Sequence, residues 1–275
     1  MKKSLLTIIR IALLAPAFFL TACGDDEEGP STPSKTCVQL TDSSALGVVN
    51  LQYDSLNRLV KYNIDSVNTT FTYEGDSIFY TLKSDTLDYK EVMYKSANQW
   101  TKSVQRIYLI SQGFGEVESV ITFIPTYSNG TITQIASTVE SRVIVNGFPI
   151  NAPTETSTIL FNRNSDGNIS RISIGKNANI RNFDYTYSTE TIGTNNIGLY
   201  ATSLSEVLQG GIIPLFLGYL KPFNKMPLTF TTPDGTKTYS NWKKDANGNL
   251  TNYQIVGTGD FVDETGSVKS TFSCK

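Results

Sequence analysis

Histidine is absent from all 275 residues. That absence removes Ser-His-Asp and Cys-His triads, imidazole general bases, histidine-ligated zinc sites and histidine pH switches. Charge is scarce, at 17% of residues, and balanced, with 23 Lys and Arg against 25 Asp and Glu. Setting aside the four acids of 25–28 and the four bases upstream of Cys37 leaves 21 acids against 19 bases. With no basic stripe, nucleic acid is not an expected partner. Long hydrophobic runs are missing as well. Ile11 to Leu20, broken by Pro16, falls well short of the roughly 20 apolar residues a membrane-spanning helix needs. What the chain does have is 14 Tyr, 14 Phe and many small polar residues, a balance that favours strands and turns over helices.

The N-terminus reads as an address. Lys2, Lys3 and Arg10 precede the short apolar core, the pattern of a signal peptide over residues 1–22. The segment ends in Leu20-Thr21-Ala22-Cys23, which resembles the lipobox of bacterial lipoproteins. That resemblance implies a diacylglycerol on the Cys23 thiol, cleavage just upstream of it, and palmitate labelling. Several acyl chains, each contributing about 0.8 kcal/mol per buried methylene, make a stable anchor without a transmembrane helix. Residues 23–36 then run acidic, Asp25-Asp26-Glu27-Glu28, and afterwards Pro/Ser-rich, the composition of an extended tether. The acidic run resembles the export signal of Bacteroidota-type lipoproteins, which implies the outer face of the outer membrane; anchoring that faces the periplasm is the alternative.

From Leu46 onward short segments rich in Val, Ile, Thr, Tyr and Phe are separated by Asn, Asp, Gly and Ser turns, the signature of an all-β domain. Expected strands include 47–53, 58–64, 69–73, 77–82, 104–110, 119–127, 131–138 and 142–145. Further ones are expected at 158–162, 169–174, 180–187, 227–231, 250–256 and 268–273. Val120-Ile121-Thr122-Phe123-Ile124 and Phe183-Asp184-Tyr185-Thr186-Tyr187 alternate, so one sheet face can pack a core. Three turns share a grammar: Asp54-Ser55-Leu56-Asn57-Arg58, Asn164-Ser165-Asp166-Gly167-Asn168 and Asp245-Ala246-Asn247-Gly248-Asn249. Their Asp, Asn and Gly residues tolerate positive φ and cap their own backbone. The units resemble tyrosine-aspartate hairpin repeats of bacterial surface proteins, although the spacing is irregular and the leading Tyr53 occurs only in the first.

One stretch breaks the rhythm. Residues 197–221 are apolar but interrupted, with Ser203 and Glu206 spaced as a capping box for a short helix and Gly210-Gly211 to end it. This helical or irregular segment would fill the concave side of the sheet or line a site for an apolar ligand. With Cys23 assigned to the lipid, Cys37 and Cys274 remain at the two ends of the body, an even pair in an oxidising compartment. A bridge between them requires the first and last strands to be neighbours and would contribute about 5 kcal/mol by chain entropy.

The order of lipobox, acidic tether, Asp/Asn-Gly hairpins, the interruption near Leu199 to Leu220 and a closing pair around Thr238 to Tyr253 is similar to a group of Bacteroidota surface lipoproteins. These carry a domain of unknown function with a porin-like fold. The resemblance implies a single all-β domain over 37–275, an antiparallel meander of many strands, strongly curved or barrel-like. It implies location and architecture, and leaves activity open.

Chemistry-bearing patterns are few. Ser240-Asn241-Trp242-Lys243 matches S-x-x-K, but no S-D-N or K-T-G follows. Glu116 with Glu118, and Asp263 with Glu264, are carboxylate pairs of the kind used in glycoside hydrolysis, and such pairs arise by chance among 21 acids. Asp245 to Asn249 has a glycine fourth rather than sixth and lacks the glutamate of a calcium loop. Gly257-Thr258-Gly259 lacks the third glycine of a dinucleotide site. No cofactor is expected. Four Asp-Ser/Thr-apolar triplets, with Ser55, Ser66, Ser77 and Thr86 at their centres, resemble O-glycosylation acceptors of exported proteins in the same bacterial group. The expectation is therefore a monomeric, non-enzymatic surface lipoprotein that binds glycan, protein or an apolar ligand. A structural or adhesive subunit, or a carboxylate-based hydrolase, are the alternatives.

Overall fold

The computed structural model describes residues 37–45, 47–64, 67–83, 87–97, 99–111, 115–145, 147–176, 179–192 and 224–274. The expected signal peptide, Cys23, the tether, Ser66, Thr86 and the apolar stretch 197–221 lie outside them. The first nine strands are β1 (Cys37–Ser44), β2 (Gly47–Tyr53), β3 (Leu59–Ile64), β4 (Val67–Glu74), β5 (Ser77–Lys83), β6 (Leu87–Ser96), β7 (Gln99–Ser111), β8 (Gly115–Ser128) and β9 (Thr131–Val145). The remainder are β10 (Phe148–Asn151), β11 (Glu155–Arg163), β12 (Ile169–Lys176), β13 (Asn179–Thr191), β14 (Lys225–Thr232), β15 (Gly235–Lys244), β16 (Leu250–Gly257) and β17 (Gly266–Cys274).

The chain is an all-β meander. Neighbours in sequence pair antiparallel, β9 pairs with β11 as well as with β10, and β17 returns to β1. Sixteen strands thus close into a barrel, and β10 is one extra strand laid on the far end of β9. Closure pairs the first and last wall strands, whose edges an open sheet would leave exposed.

Alternation decides what faces in. A round barrel of 16 strands is wide enough for an aqueous channel, yet here the inward side chains form one contiguous buried cluster. Phe71, Tyr80, Trp100, Ile135, Ile172, Phe230, Tyr239 and Tyr253 belong to it. Outward positions carry cross-strand hydroxyl pairs, Thr41 with Thr271, Thr70 with Thr81 and Thr186 with Thr229. Ion pairs such as Arg171 with Asp184 and Arg142 with Glu118 stand beside them. The inside is apolar, and the outer face mixes these polar groups with exposed apolar side chains such as Val48, Ile110, Ile124, Leu160, Ile180 and Val256, whereas a membrane-spanning barrel carries an apolar lipid-facing band around a polar interior.

Strict antiparallel order places both ends of the described chain at one rim, the lower rim. Cys37 and Cys274 form the last pair of the β1–β17 ladder there and are joined by a disulfide, 237 residues apart in sequence. The three Asx turns stand at the same rim and share one hydrogen-bond pattern. Asp54, Asn164 and Asp245 each accept with Oδ1 from two backbone amides, two and four residues on. The fourth residue, Asn57, Gly167 or Gly248, takes positive φ. Tyrosine hydroxyls lock the rim by donating to backbone carbonyls of the neighbouring strands, Tyr53 to Gln39, Tyr73 to Leu59 and Tyr127 to Trp100.

Several elements differ from the sequence expectation. β1 and β6 had no expected strand, because polar residues occupy inward positions in both, Gln39 and Asp42 in β1 and Glu91 in β6. Segments 131–138 and 142–145 are one continuous strand, β9. The helical element among the described residues is a 3-10 turn at Gly259–Glu264.

Candidate functional site

The upper rim, opposite the chain ends, is sealed on one side and open on the other. The sealed side is formed by the 3-10 turn between β16 and β17. Gly257 makes this possible: a Cβ there would stand 1.9 Å from the Phe261 carbonyl oxygen. The turn drives Phe261 and Glu264 inward. Lys237 of β15, 0% exposed, places its Nζ 2.8 Å from Glu264 Oε2 and 4.6 Å from the centre of the Phe261 ring. A buried cation is tolerated here because it has a carboxylate partner and an aromatic face.

The open side is built by β6–β10. Register sets its inner face rung by rung. The deepest of these rungs carries Met93, Ser103, Phe123 and Ser137. Above it stand Glu91, Gln105, Ile121 and Val139, then Tyr89, Ile107, Ser119 and Ser141. The next rung is wholly apolar: Leu87, Leu109, Val117, Val143 and Ile150. Burial fades along this wall. Ile135 and Ser137 are buried, Val139 and Val143 are half-buried, and Phe148 and Ile150 of β10 reach 75% and 60% exposure.

β10 is also the strand whose outer edge no wall strand covers. The amide of Ala152 donates to the Ser141 carbonyl at 2.8 Å, which fixes the parity of the ladder and turns Pro149 and Asn151 toward the free side. Pro149 has no amide proton to offer there, so the edge is blunted against pairing with another chain.

Beneath the apolar rungs lies a polar floor. Glu91 is 2% exposed. Tyr89 OH donates to its Oε2 at 2.8 Å, and Gln105 Nε2 donates to the same oxygen at 3.3 Å. Burial pushes the Glu91 carboxyl up to about 8, against the smaller opposing effect of hydrogen bonds from Tyr89, Ser103 and Gln105. Gln105 Oε1 is buried with no hydrogen-bond partner, a rare state for a buried polar group in a folded protein.

The residues singled out in sequence fall elsewhere. Cys37 and Cys274 are brought together as expected. Ser55 is exposed on the Asp54 turn, and Ser77 is half-buried at the start of β5. Ser240 and Lys243 sit in β15 on either side of a register shift, with Asn241 between them in the left-handed region, not at a helix start. Glu116 and Glu118 share the outer face of β8, where Arg142 holds Glu118. Asp263 is exposed while Glu264 is buried, so the two carboxyls are divided rather than paired. Asp245 spends its oxygens on its own turn, Oδ1 on two backbone amides and Oδ2 on the Asn249 side-chain amide. Among the described residues no group of His, Cys, Asp or Glu could hold a metal ion. Sequence reasoning missed Glu91. The available signal was an acid inside the alternation Leu87, Tyr89, Glu91, Met93.

A pocket of about 320 Å³ lies at the lower rim where β1 and β2 splay apart below Thr41, lined by Val38, Leu40, Leu51 and Tyr53 among others. The Tyr53 hydroxyl bridges the gap at 2.7 Å to the Gln39 carbonyl. No protein-family model matches the chain, and no curated protein matches it.

Proposed function

We propose that this chain is a non-enzymatic, lipid-anchored protein of the outer membrane that binds apolar ligands or apolar parts of a partner at its upper rim. The acyl chains sit on Cys23 and the barrel faces the cell exterior. The observation that carries the binding reading is the exposed apolar wall of Phe148, Ile150 and Val145, continued by half-buried Val143, because contiguous exposed apolar surface marks interaction sites. The packed apolar interior and the outward Thr pairs and ion pairs support a barrel held beside the bilayer rather than within it. A tether entering at Cys37 attaches at the lower rim, which leaves the apolar rim pointing away from the anchor. The blunted β10 edge favours a monomer over a self-assembling adhesive subunit.

Two measurements test this reading. Cys23→Ser is expected to move the protein out of membrane fractions and to abolish palmitate labelling; retention with labelling would overturn the anchor. Replacing Phe148 and Ile150 together by Ser is expected to weaken binding of the apolar dye bis-ANS by roughly tenfold or more, from the burial two such side chains provide. Unchanged dye binding would remove the rim from consideration.

A further inference from the structure

Resting on the reading of the chain as anchored at Cys23, we infer that the outer wall of β6 and β7 makes a second contact with the same membrane. It is a cationic face that lies against anionic phosphate headgroups. The ladder assembles it from cations scattered in sequence. Lys90 stands directly opposite Arg106, and the same rung continues across β5, β4 and β3 as Thr81, Thr70 and Lys61. Lys102 lies four residues from Arg106 on the same side of β7. Like charges directly opposite on a sheet are destabilising, and here the chain leaves them largely uncompensated. Elsewhere on the outer surface Arg58, Arg142, Arg171 and Arg181 each hold a carboxylate, those of Asp54, Glu118, Asp184 and Asp234 in turn. Among the described residues Lys61, Lys102 and Arg106 hold none, and Lys90 has only Asp88, at 3.3 Å.

A bilayer surface fits what lies between these cations. The rung between Arg106 and Lys102 consists of Phe79, Val92 and Val104, apolar and half-buried, so the charges border an apolar sheet surface. Tyr94, 42% exposed and opposite Lys102, adds an amphipathic ring of the kind that settles at headgroup level. Lys and Arg stems can cover such a surface while their charged ends reach phosphate. The nearest acids of β8 and β9 stand aside: Glu118 is held by Arg142, and Glu140 lies two strands beyond Arg106. Reach is sufficient. Cys23 stands fourteen positions before Cys37, which at about 3.5 Å each allows up to roughly 50 Å of chain. A strand of 13 residues such as β7 is about 43 Å long, so the anchored barrel can lie along its own bilayer. The upper rim then stays at the end far from the tether.

The test uses residues 23–275 carrying Cys23→Ser, which contain every strand of the barrel and neither signal peptide nor acyl chains. Sedimentation with phosphatidylcholine vesicles is compared with and without phosphatidylglycerol. Each Lys or Arg near an anionic surface strengthens adsorption by roughly fivefold. Binding to the anionic vesicles is therefore expected to exceed binding to the neutral ones by roughly twentyfold or more, and to collapse when salt is raised from about 0.05 to about 0.5 M. Lys90→Gln with Arg106→Gln is expected to lower it by roughly twentyfold. Lys243→Gln with Lys269→Gln, exposed cations on β15 and β17, is expected to leave it unchanged. Equal binding to both kinds of vesicle would overturn the headgroup contact, and an equal loss in the two double variants would overturn its placement on β6 and β7. Capture by soluble dextran sulfate without vesicle binding would assign the face to a polyanion and overturn the bilayer. None of these outcomes bears on the Cys23 anchor, which palmitate labelling of the wild-type chain decides separately.

Discussion

Glu91 is the residue on which the interior chemistry turns, and its environment makes stability depend on pH in a defined direction. Below pH 4 the carboxyl is protonated in the folded and unfolded chains alike. As pH rises past the ordinary glutamate value of 4.5, the unfolded chain releases its proton while burial makes the folded chain retain one up to about 8. Stability is therefore lost as pH rises through this window, on the order of 5 kcal/mol in all. Asp42 acts with the same sign over a lower range. Burial raises it from 3.8 to about 6, against the hydrogen bond that Ser270 Oγ donates to its Oδ1. The loss due to Asp42 is complete near pH 6, so what remains between pH 6 and 9 belongs to Glu91. Urea unfolding of wild type is expected to show a midpoint that falls across pH 6 to 9, and Glu91→Gln to flatten that fall. An equally steep fall in the variant would place the titrating group elsewhere.

At the scale of elements, the parts of the barrel legible in sequence were those whose turn chemistry is local. The three Asx turns could be read because Asp54, Asn164 and Asp245 satisfy amides within four residues of themselves. β2 and β13 could be read because their inward positions are apolar or aromatic. β1 and β6 could not, since an inward Gln39, Asp42 or Glu91 breaks the pattern at the position where the fold uses it. The 3-10 turn was hidden for a related reason. Gly257-Thr258-Gly259 looks like an ordinary turn until the return of Phe261 over Lys237 shows why no side chain fits at Gly257. Gly257→Ala would push a Cβ into the Phe261 backbone and is expected to destabilise the protein by about 3 kcal/mol through forced backbone shifts. Gly130→Ala, at a turn where nothing lies within 4 Å of the added carbon, is expected to cost about 1 kcal/mol, from its positive φ alone. Equal costs in denaturant titrations would mean that the turn shifts freely and seals nothing.

At the scale of the whole molecule, the barrel depends on one seam that joins strands from opposite ends of the chain. Every other ladder links strands near in sequence, whereas β1 and β17 must meet across 237 residues. The entropy of closing so long a loop grows only slowly with its length, but it falls on a single ladder. That ladder is interrupted by the register shift between Gln39 and Thr41. The disulfide at its lower end removes this cost from the folding equilibrium by closing the loop in the unfolded chain as well, a contribution of about 5 kcal/mol in the chain-entropy model. Asn247 and Asn249 of the third Asx turn donate to Cys274 Sγ at 3.3 and 3.8 Å, so the bridge is also held against β15–β16. Cys37→Ser with Cys274→Ser is therefore expected to lower stability by about 5 kcal/mol and to act unevenly. In native-state hydrogen exchange, amides of β1 and β17 lose protection first, beginning at the Cys37 end, while those of β6–β9 keep theirs. Uniform loss around the ring would show that the barrel opens as a single unit and that the seam is no weaker than the rest of the wall.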